Sequence, residues 1–244
     1  MPEANQKILI RGEKVGEFFH VYLFEAMLKE LDDPDHGYPE AMAKGLNVVG
    51  ACKPSGAWPK DPDRERCSAK QTVDEFLAGA WDFRAKISTQ FKLDEHSPVI
   101  YENTIKERDL GFCEGPFVTP GAVTEHLRKS KIKNPDQWKP MRRFGVPQKG
   151  SIRGVDDAAE NGANATSSRE EKLTTSSVDL IVSMIRTWIS IEGHGCDLGA
   201  WAMDEYKAYR QTPVEPDQRR CSVVAVVNPN KSPTSGRPEP RLEY

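Results

Sequence analysis

Apolar positions in the first part of the chain fall at helical spacing. Val15, Phe18, Phe19, Tyr22, Leu23, Ala26, Met27 and Leu31 recur at intervals of three and four, which predicts an amphipathic helix with one buried face, closed by Asp32-Asp-Pro-Asp-His-Gly. A short helix is expected over 40–44. The stretch 51–66 contains four prolines or glycines amid dense charge and reads as a loop. Thr72-Val-Asp-Glu75 has the spacing of a capping box, in which hydroxyl and carboxylate satisfy backbone N–H groups at a helix start. Phe76, Leu77, Ala80, Trp81 and Ile87 form the expected buried face of that helix. A further helix is expected over 101–109, broken by Gly111-Phe-Cys-Glu-Gly-Pro-Phe117. Thr119-Pro120 then sets an N-cap and a first-turn proline ahead of a helix over 122–129.

The second half mixes strand and helix. Two short strands, 142–147 and 151–156, flank a turn at Gln148-Lys-Gly150, and basic residues line both strands and the turn. After a polar stretch over 159–172, Ser176-Ser-Val-Asp179 can cap a helix whose expected buried stripe is Ile181, Met184, Ile185, Trp188 and Ile189; Gly193 and Gly195 end it. A small apolar approach, Leu198-Gly-Ala-Trp-Ala-Met203, leads to Asp204. Beyond a polar stretch holding Pro213 and Pro216, a strand-like run covers 221–227. Residues 228–244 read as a loop or frayed tail. No internal repeat is visible.

Composition narrows the class. With 37% apolar and 29% charged residues, 18 Gly and 18 Pro, the chain is polar for a globular protein, so a modest core is expected. The net charge of −3 conceals a local excess: between Arg128 and Arg153 stand nine Lys or Arg and one acid, Asp136. A local block of this kind bears on polyanion binding more than the total does. The five cysteines are scattered, odd in number and without a C-x-x-C pair, which argues against a disulfide framework or zinc ribbon. His194-Gly-Cys196 offers two ligands, too few for a structural metal site. His20 and His36 read as surface or helix-face residues. No apolar leader or membrane-length apolar run occurs, so the expectation is an intracellular, soluble protein, cytoplasmic or nuclear, with no membrane partner.

Two stretches suggest chemistry. In the first, Lys149 in the turn and Arg153 on the returning strand have the character of phosphate-neutralising side chains, one a point charge and the other a bidentate donor. In the second, Asp204 ends a small apolar run and is followed by Ala208-Tyr209, Gln211, Pro213 and Arg219. A carboxylate at a strand end suits a hard divalent cation. The order of these residues resembles the first catalytic motif of the reverse-transcriptase palm, roughly D-x-x-x-A-Y-x-Q-x-P-x-x-x-x-x-R. The basic hairpin, with Phe144, Val146, Lys149, Gly150, Arg153 and Asp157, resembles the fingers hairpin of the same family.

The resemblance implies an α+β, partial right-hand polymerase fold: a mainly helical N-terminal region of unassigned role over 1–100, fingers and incomplete palm over 101–227, and a tail over 228–244. It implies a retroelement-type RNA-directed DNA polymerase, whose full-length form adds dNTPs to a primer on an RNA or DNA template by two-metal nucleotidyl transfer. Lys149 and Arg153 would contact the triphosphate, and Tyr209 and Gln211 would complete the nucleotide site. Asp204, with the backbone carbonyl of Glu205, would hold Mg²⁺. Arg142 and Arg143 would contact nucleic acid. Val155-Asp156-Asp157 is not taken as the second catalytic motif, because it precedes Asp204 and lacks an apolar strand after it; Asp157 is expected to pair with a nearby Arg. No apolar-Asp-Asp hairpin follows Asp204, so the chain reads as C-terminally truncated and inactive alone, with a further C-terminal segment or partner chain to complete it. The alternative is a non-catalytic nucleic-acid-binding remnant of such a polymerase.

Overall fold

The computed structural model describes residues 7–9, 18–90, 93–175, 177–195, 197, 199, 210, 212–229 and 242–244. It is an α+β fold, with helices in the N-terminal part followed by a four-stranded mixed sheet that carries helices. Strands β1 (Lys7–Leu9) and β2 (Phe18–His20) pair antiparallel ahead of α1 (Val21–Glu30), α2 (Tyr38–Lys44), α3 (Arg64–Cys67), α4 (Val73–Ala78), α5 (Ala80–Gln90), α6 (Ser97–Asp109) and α7 (Pro120–Lys129). The sheet comprises β3 (Met141–Gln148), β4 (Ser151–Asp156), β5 (Val224–Val227) and β6 (Leu242–Glu243), in the order β4-β3-β5-β6. Helix α8 (Val178–Glu192) lies in sequence between the hairpin and β5.

The β3–β4 hairpin follows from its turn. Lys149 and Gly150 both have positive φ, 46° and 81°. Such a two-residue loop matches the twist of the strands it joins, and Gly150 adopts its conformation without a Cβ penalty. The loop fixes the register, placing Arg143 opposite Asp156, Gly145 opposite Gly154 and Val146 opposite Arg153. Side chains alternate along a strand, so Arg143, Gly145, Gly154 and Asp156 share the face toward α6, and Arg142, Phe144, Val146, Arg153 and Val155 share the other. On its far side β3 pairs in parallel with β5, Met141 with Val224 and Arg142 with Ala225. Strand β6 closes the order antiparallel to β5.

Three apolar clusters form the core, and the first of them packs α5 against the sheet. Phe83 and Ile87 of α5 pack with Ala225, Val227 and Leu242. Val49, Phe76 and Leu77 pack with Ala163 and Cys221. Val123, Leu127 and Ile132 surround Trp138, which is 0% exposed, donates its indole N–H to Thr124 at 3.0 Å and meets the Tyr244 ring edge-on at 5.3 Å. Arg84 is buried beside it and donates to the carbonyls of Asp136 and Trp138 at 3.0 and 3.1 Å.

Several local expectations hold. The capping box at Thr72 and Glu75 is formed in both directions, and the Thr119 hydroxyl accepts from Ala122 N. Others are corrected. The first helix begins at Val21, because Phe18 and Phe19 extend into β2 against β1; Val15 lies outside the described residues. The helix expected to run through Ile87 breaks at Gly79 into α4 and α5. Phe83, seven residues after Phe76, faces inward while Trp81 is 70% exposed, with the Arg84 guanidinium 4.4 Å from its ring centre. None of α8 is buried, so Ile181, Met184, Ile185 and Trp188 present their apolar stripe outward. The tail does not simply fray, since Leu242 and Glu243 form β6, and Tyr244 and Phe117 exchange backbone hydrogen bonds of 2.7 and 3.0 Å.

Gly145 marks the closest approach of the hairpin to α6. A Cβ there would stand 2.6 Å from His96 Cβ and 2.8 Å from Ile152 Cγ2. Gly145→Ala is expected to lower stability by about 1–3 kcal/mol, read from urea unfolding. Gly121→Ala, in the first turn of α7 with its nearest contact at an ordinary 3.9 Å, is expected to be neutral or slightly stabilising.

Candidate nucleotide-binding hairpin and its foot

The two faces of the hairpin have opposite electrostatic character, and the alternation of β3 produces the difference. Arg143 points in. It is 6% exposed, and its guanidinium grips Asp156 through two bonds of 2.6 and 2.9 Å, with a third nitrogen reaching Glu107 and Thr104 of α6, each at 3.0 Å. Arg210 joins the same carboxylates, Asp156 and Glu107, at 3.3 Å each. Two cations and two acids thus form one balanced cluster at the hairpin's foot, contributed by α6, β3, β4 and residue 210. Burial by itself would push the Asp156 carboxyl up. The hydrogen bonds and charge of Arg143, with Arg210 behind it, outweigh burial and hold the carboxyl below its ordinary range. Burial likewise opposes the charge on Arg143, and Asp156 and Glu107 raise its affinity for the proton despite it.

A second polar group fastens α6 to the far edge of the sheet. Tyr101 donates to the buried Glu243 at 2.7 Å, and Asn228 donates to both Tyr101 and Glu243 at 2.8 and 3.0 Å. Burial, then the hydrogen bond to Glu243, pushes the Tyr101 phenol up to about 12. These contacts secure the backbone and leave the outward face of the hairpin unaffected.

The outward face is basic and accessible. Lys149 stands at the tip and Arg153 four residues on; both are exposed, and neither forms an ion pair with a described residue. Arg142 lies nearer the foot with its guanidinium 5.6 Å from the Phe144 ring centre, and it is paired with Glu160 at 2.9 Å and Asp157 at 3.6 Å. The expected pairing of Asp157 with an arginine is therefore present. A shallow groove runs along Val146, Pro147, Gln148, Arg153 and Val155.

The structure separates the predicted site residues. Lys149, Arg153 and Arg142 are on or beside the open face. Arg143, expected on the nucleic-acid face, is instead buried and held by two carboxylates, so it braces the hairpin from within and is turned away from the open face. Asp204, Glu205, Tyr209 and Gln211 lie outside the described residues. Arg210, set between the last two in sequence, reaches the hairpin's foot. The following segment, at Val214, bridges to Leu46, with Leu46 N to Pro213 O at 2.8 Å and Glu215 N to Leu46 O at 3.0 Å. Arg219 stands 4.0 Å from Glu114.

Sequence reasoning missed Glu107, Thr104, Asp156 and Arg210 as one cluster. Part of the signal was present. A two-residue turn at 149–150 dictates that Arg143 faces Asp156, six positions from the turn on one strand and six on the other. Among the described residues no group of three or more His, Cys, Asp or Glu is arranged to hold a metal ion, and no helix is long and apolar enough to cross a membrane. Compared with known proteins, the chain matches no family profile, no curated protein and no solved structure.

The cluster makes unequal demands on the hairpin's arginines. Arg143→Ala leaves Asp156 and Glu107 sharing Arg210 alone, two acids against one cation, and is expected to cost about 3 kcal/mol in chemical denaturation. Arg153→Ala is expected to change stability by no more than about 0.5 kcal/mol. Because the folded pKa of Asp156 is depressed, its contribution is present above the ordinary carboxylate range and is lost as pH falls through the folded value. The stability gap between the wild type and Asp156→Asn should therefore be full at neutral pH and shrink below about pH 4.

Proposed function

We propose that the chain is the fingers and first palm portion of a reverse-transcriptase-like polymerase, and that its basic hairpin holds the triphosphate of an incoming deoxynucleotide. One observation carries the reading. Arg210 lies within the second of the two stretches that resemble the family, yet it is bonded to Asp156, 54 residues earlier, at the base of the first. A nucleotide site needs such convergence, since the cations that grip the phosphates and the residues that seat the sugar must come together. Lys149 and Arg153 are exposed and unpaired with described acids, so phosphate oxygens meet no intramolecular competitor there. By the resemblance, Tyr209 and Gln211 border the sugar, and Asp204 with the Glu205 carbonyl would hold Mg²⁺. That ion supplies Lewis-acid activation of the primer hydroxyl and of the leaving pyrophosphate. The substrates are then dNTP and a primer–template, and nucleotide capture is the part of the task assigned to residues 101–227.

A second reading, a non-catalytic nucleic-acid grip, is favoured by Arg142 lying over Phe144 on the same face as Arg153. Basic side chains beside an aromatic ring suit a single-stranded backbone and its bases, with affinity falling steeply as salt rises.

Titrating the chain with Mg²⁺-dNTP and with single-stranded RNA separates the two. On the first reading, triphosphate binds more tightly than monophosphate, and Lys149→Ala and Arg153→Ala each weaken it by about tenfold, equivalent to about 1.4 kcal/mol. Triphosphate affinity unchanged in the Lys149→Ala/Arg153→Ala double variant sinks it. RNA binding that is salt-sensitive, independent of Mg²⁺ and intact in Asp204→Asn, without triphosphate preference, selects the second reading.

A further inference from the structure

On the α6 side of the sheet, away from the open face of the hairpin, a cavity of about 210 Å³ lies between α6, α7, the 112–117 loop and β5. Ile105, Phe117, Leu127 and Val226 supply apolar walls from those four elements. The recess is partly open to solvent, so a small molecule can reach it, and it is large enough to hold one. The volume exceeds the ~150 Å³ of an apolar cavity that accepts benzene and falls short of the ~300 Å³ at which drug-sized pockets begin, which sets the ligand at one or two rings.

Charge decides its chemistry. Four arginines line the cavity and each stands within 4.0 Å of an acid: Arg108 with Asp109 at 2.7 Å, Arg143 with Asp156 at 2.6 Å, Arg210 with Glu107 at 3.3 Å and Arg219, most loosely, with Glu114 at 4.0 Å. His126 also meets Glu114, at 2.5 Å. A charged ligand would have to break one of these pairs or enter without a counter-charge, and the apolar walls penalise it further. We propose that this cavity is a binding site for a small, neutral aromatic molecule, separate from the nucleotide-holding hairpin.

Indole is a suitable probe on the full chain. Ligand-observed NMR is expected to show saturable binding, and indole-3-carboxylate should bind at least about tenfold more weakly because its charge is desolvated without a partner. Ile105→Trp and Ser222→Phe fill the cavity from different walls, and each should abolish binding while thermal melting confirms the fold. Cys113 lines the cavity and is partly buried, whereas Cys52 is exposed on the surface. In the wild type, indole should slow modification of Cys113 by N-ethylmaleimide several-fold and leave Cys52 unaffected, a readout that decides the matter should both variants fail to fold. Absence of saturable binding, binding that survives both fillings, or Cys113 reactivity indifferent to indole overturns the proposal.

Discussion

The buried guanidinium of Arg143 is the constraint on which the rest of this fold's polar architecture depends. A cation there is tolerable only if every face of it meets an acceptor, because an unpaired buried charge is far costlier than a paired one. Asp156 provides two acceptors from β4, and Glu107 and Thr104 provide the others from α6. Satisfying one side chain therefore fixes the hairpin register, the seating of α6 against it and, through the shared carboxylates, the position of Arg210. Gly145 and Gly154 lie on this same face, and Gly145 lets the start of α6 approach within contact distance of the strand. Charge pairing and close packing thus act on one surface.

What happens inside frees the outside. With the inward arginine fully engaged, the hairpin no longer needs its remaining cations for stability. Arg142 is partly tied down by Glu160 and Asp157 near the foot. Lys149 and Arg153 stand toward the tip without such partners among the described residues. Positive charge therefore becomes progressively more available from foot to tip. A rigid base carrying accessible cations is the arrangement a phosphate-binding element needs, since a side chain already held by an acid must lose that bond before it can serve an anion. The proposed nucleotide role rests on this gradient together with the return of residue 210 to the foot.

The core shows a similar division of labour. Helix α5 reaches β5 and β6 through Phe83 and Ile87, and α4 reaches the segment before β5 through Phe76, Leu77 and Cys221. Helix α5 is therefore packed into the same core as the sheet, and α4 into the core beside it. Helix α8 contrasts with them, having a strong apolar stripe and no buried residue. A wide apolar stripe reports that a helix has a face suited to burial; the partner for that face is a separate matter of three-dimensional arrangement.

Local chemistry made much of this legible from the chain alone. The capping box at Thr72, the Thr119-Pro120 helix start and the hairpin about Lys149-Gly150 were readable because each is settled by interactions within a few residues. So were the type of most elements and the pairing of Asp157 with an arginine. The resemblance of the Asp204 stretch to a polymerase motif was likewise a property of sequence, and its residues from Asp204 to Tyr209, with Gln211, lie outside the described structure. Tertiary structure decided what local rules cannot weigh. It set Arg143 inside and Arg142 outside, although the two are adjacent and identical, because strand alternation and a carboxylate from α6 select between them. It packed Phe83 against Ala225 and Val227 and left Trp81 at the surface. It drew Leu242 and Glu243 from an apparent tail into the sheet. In each case the deciding partner is distant in sequence, and the energy that selects among local options comes from burial and pairing that exist only after the chain has closed on itself.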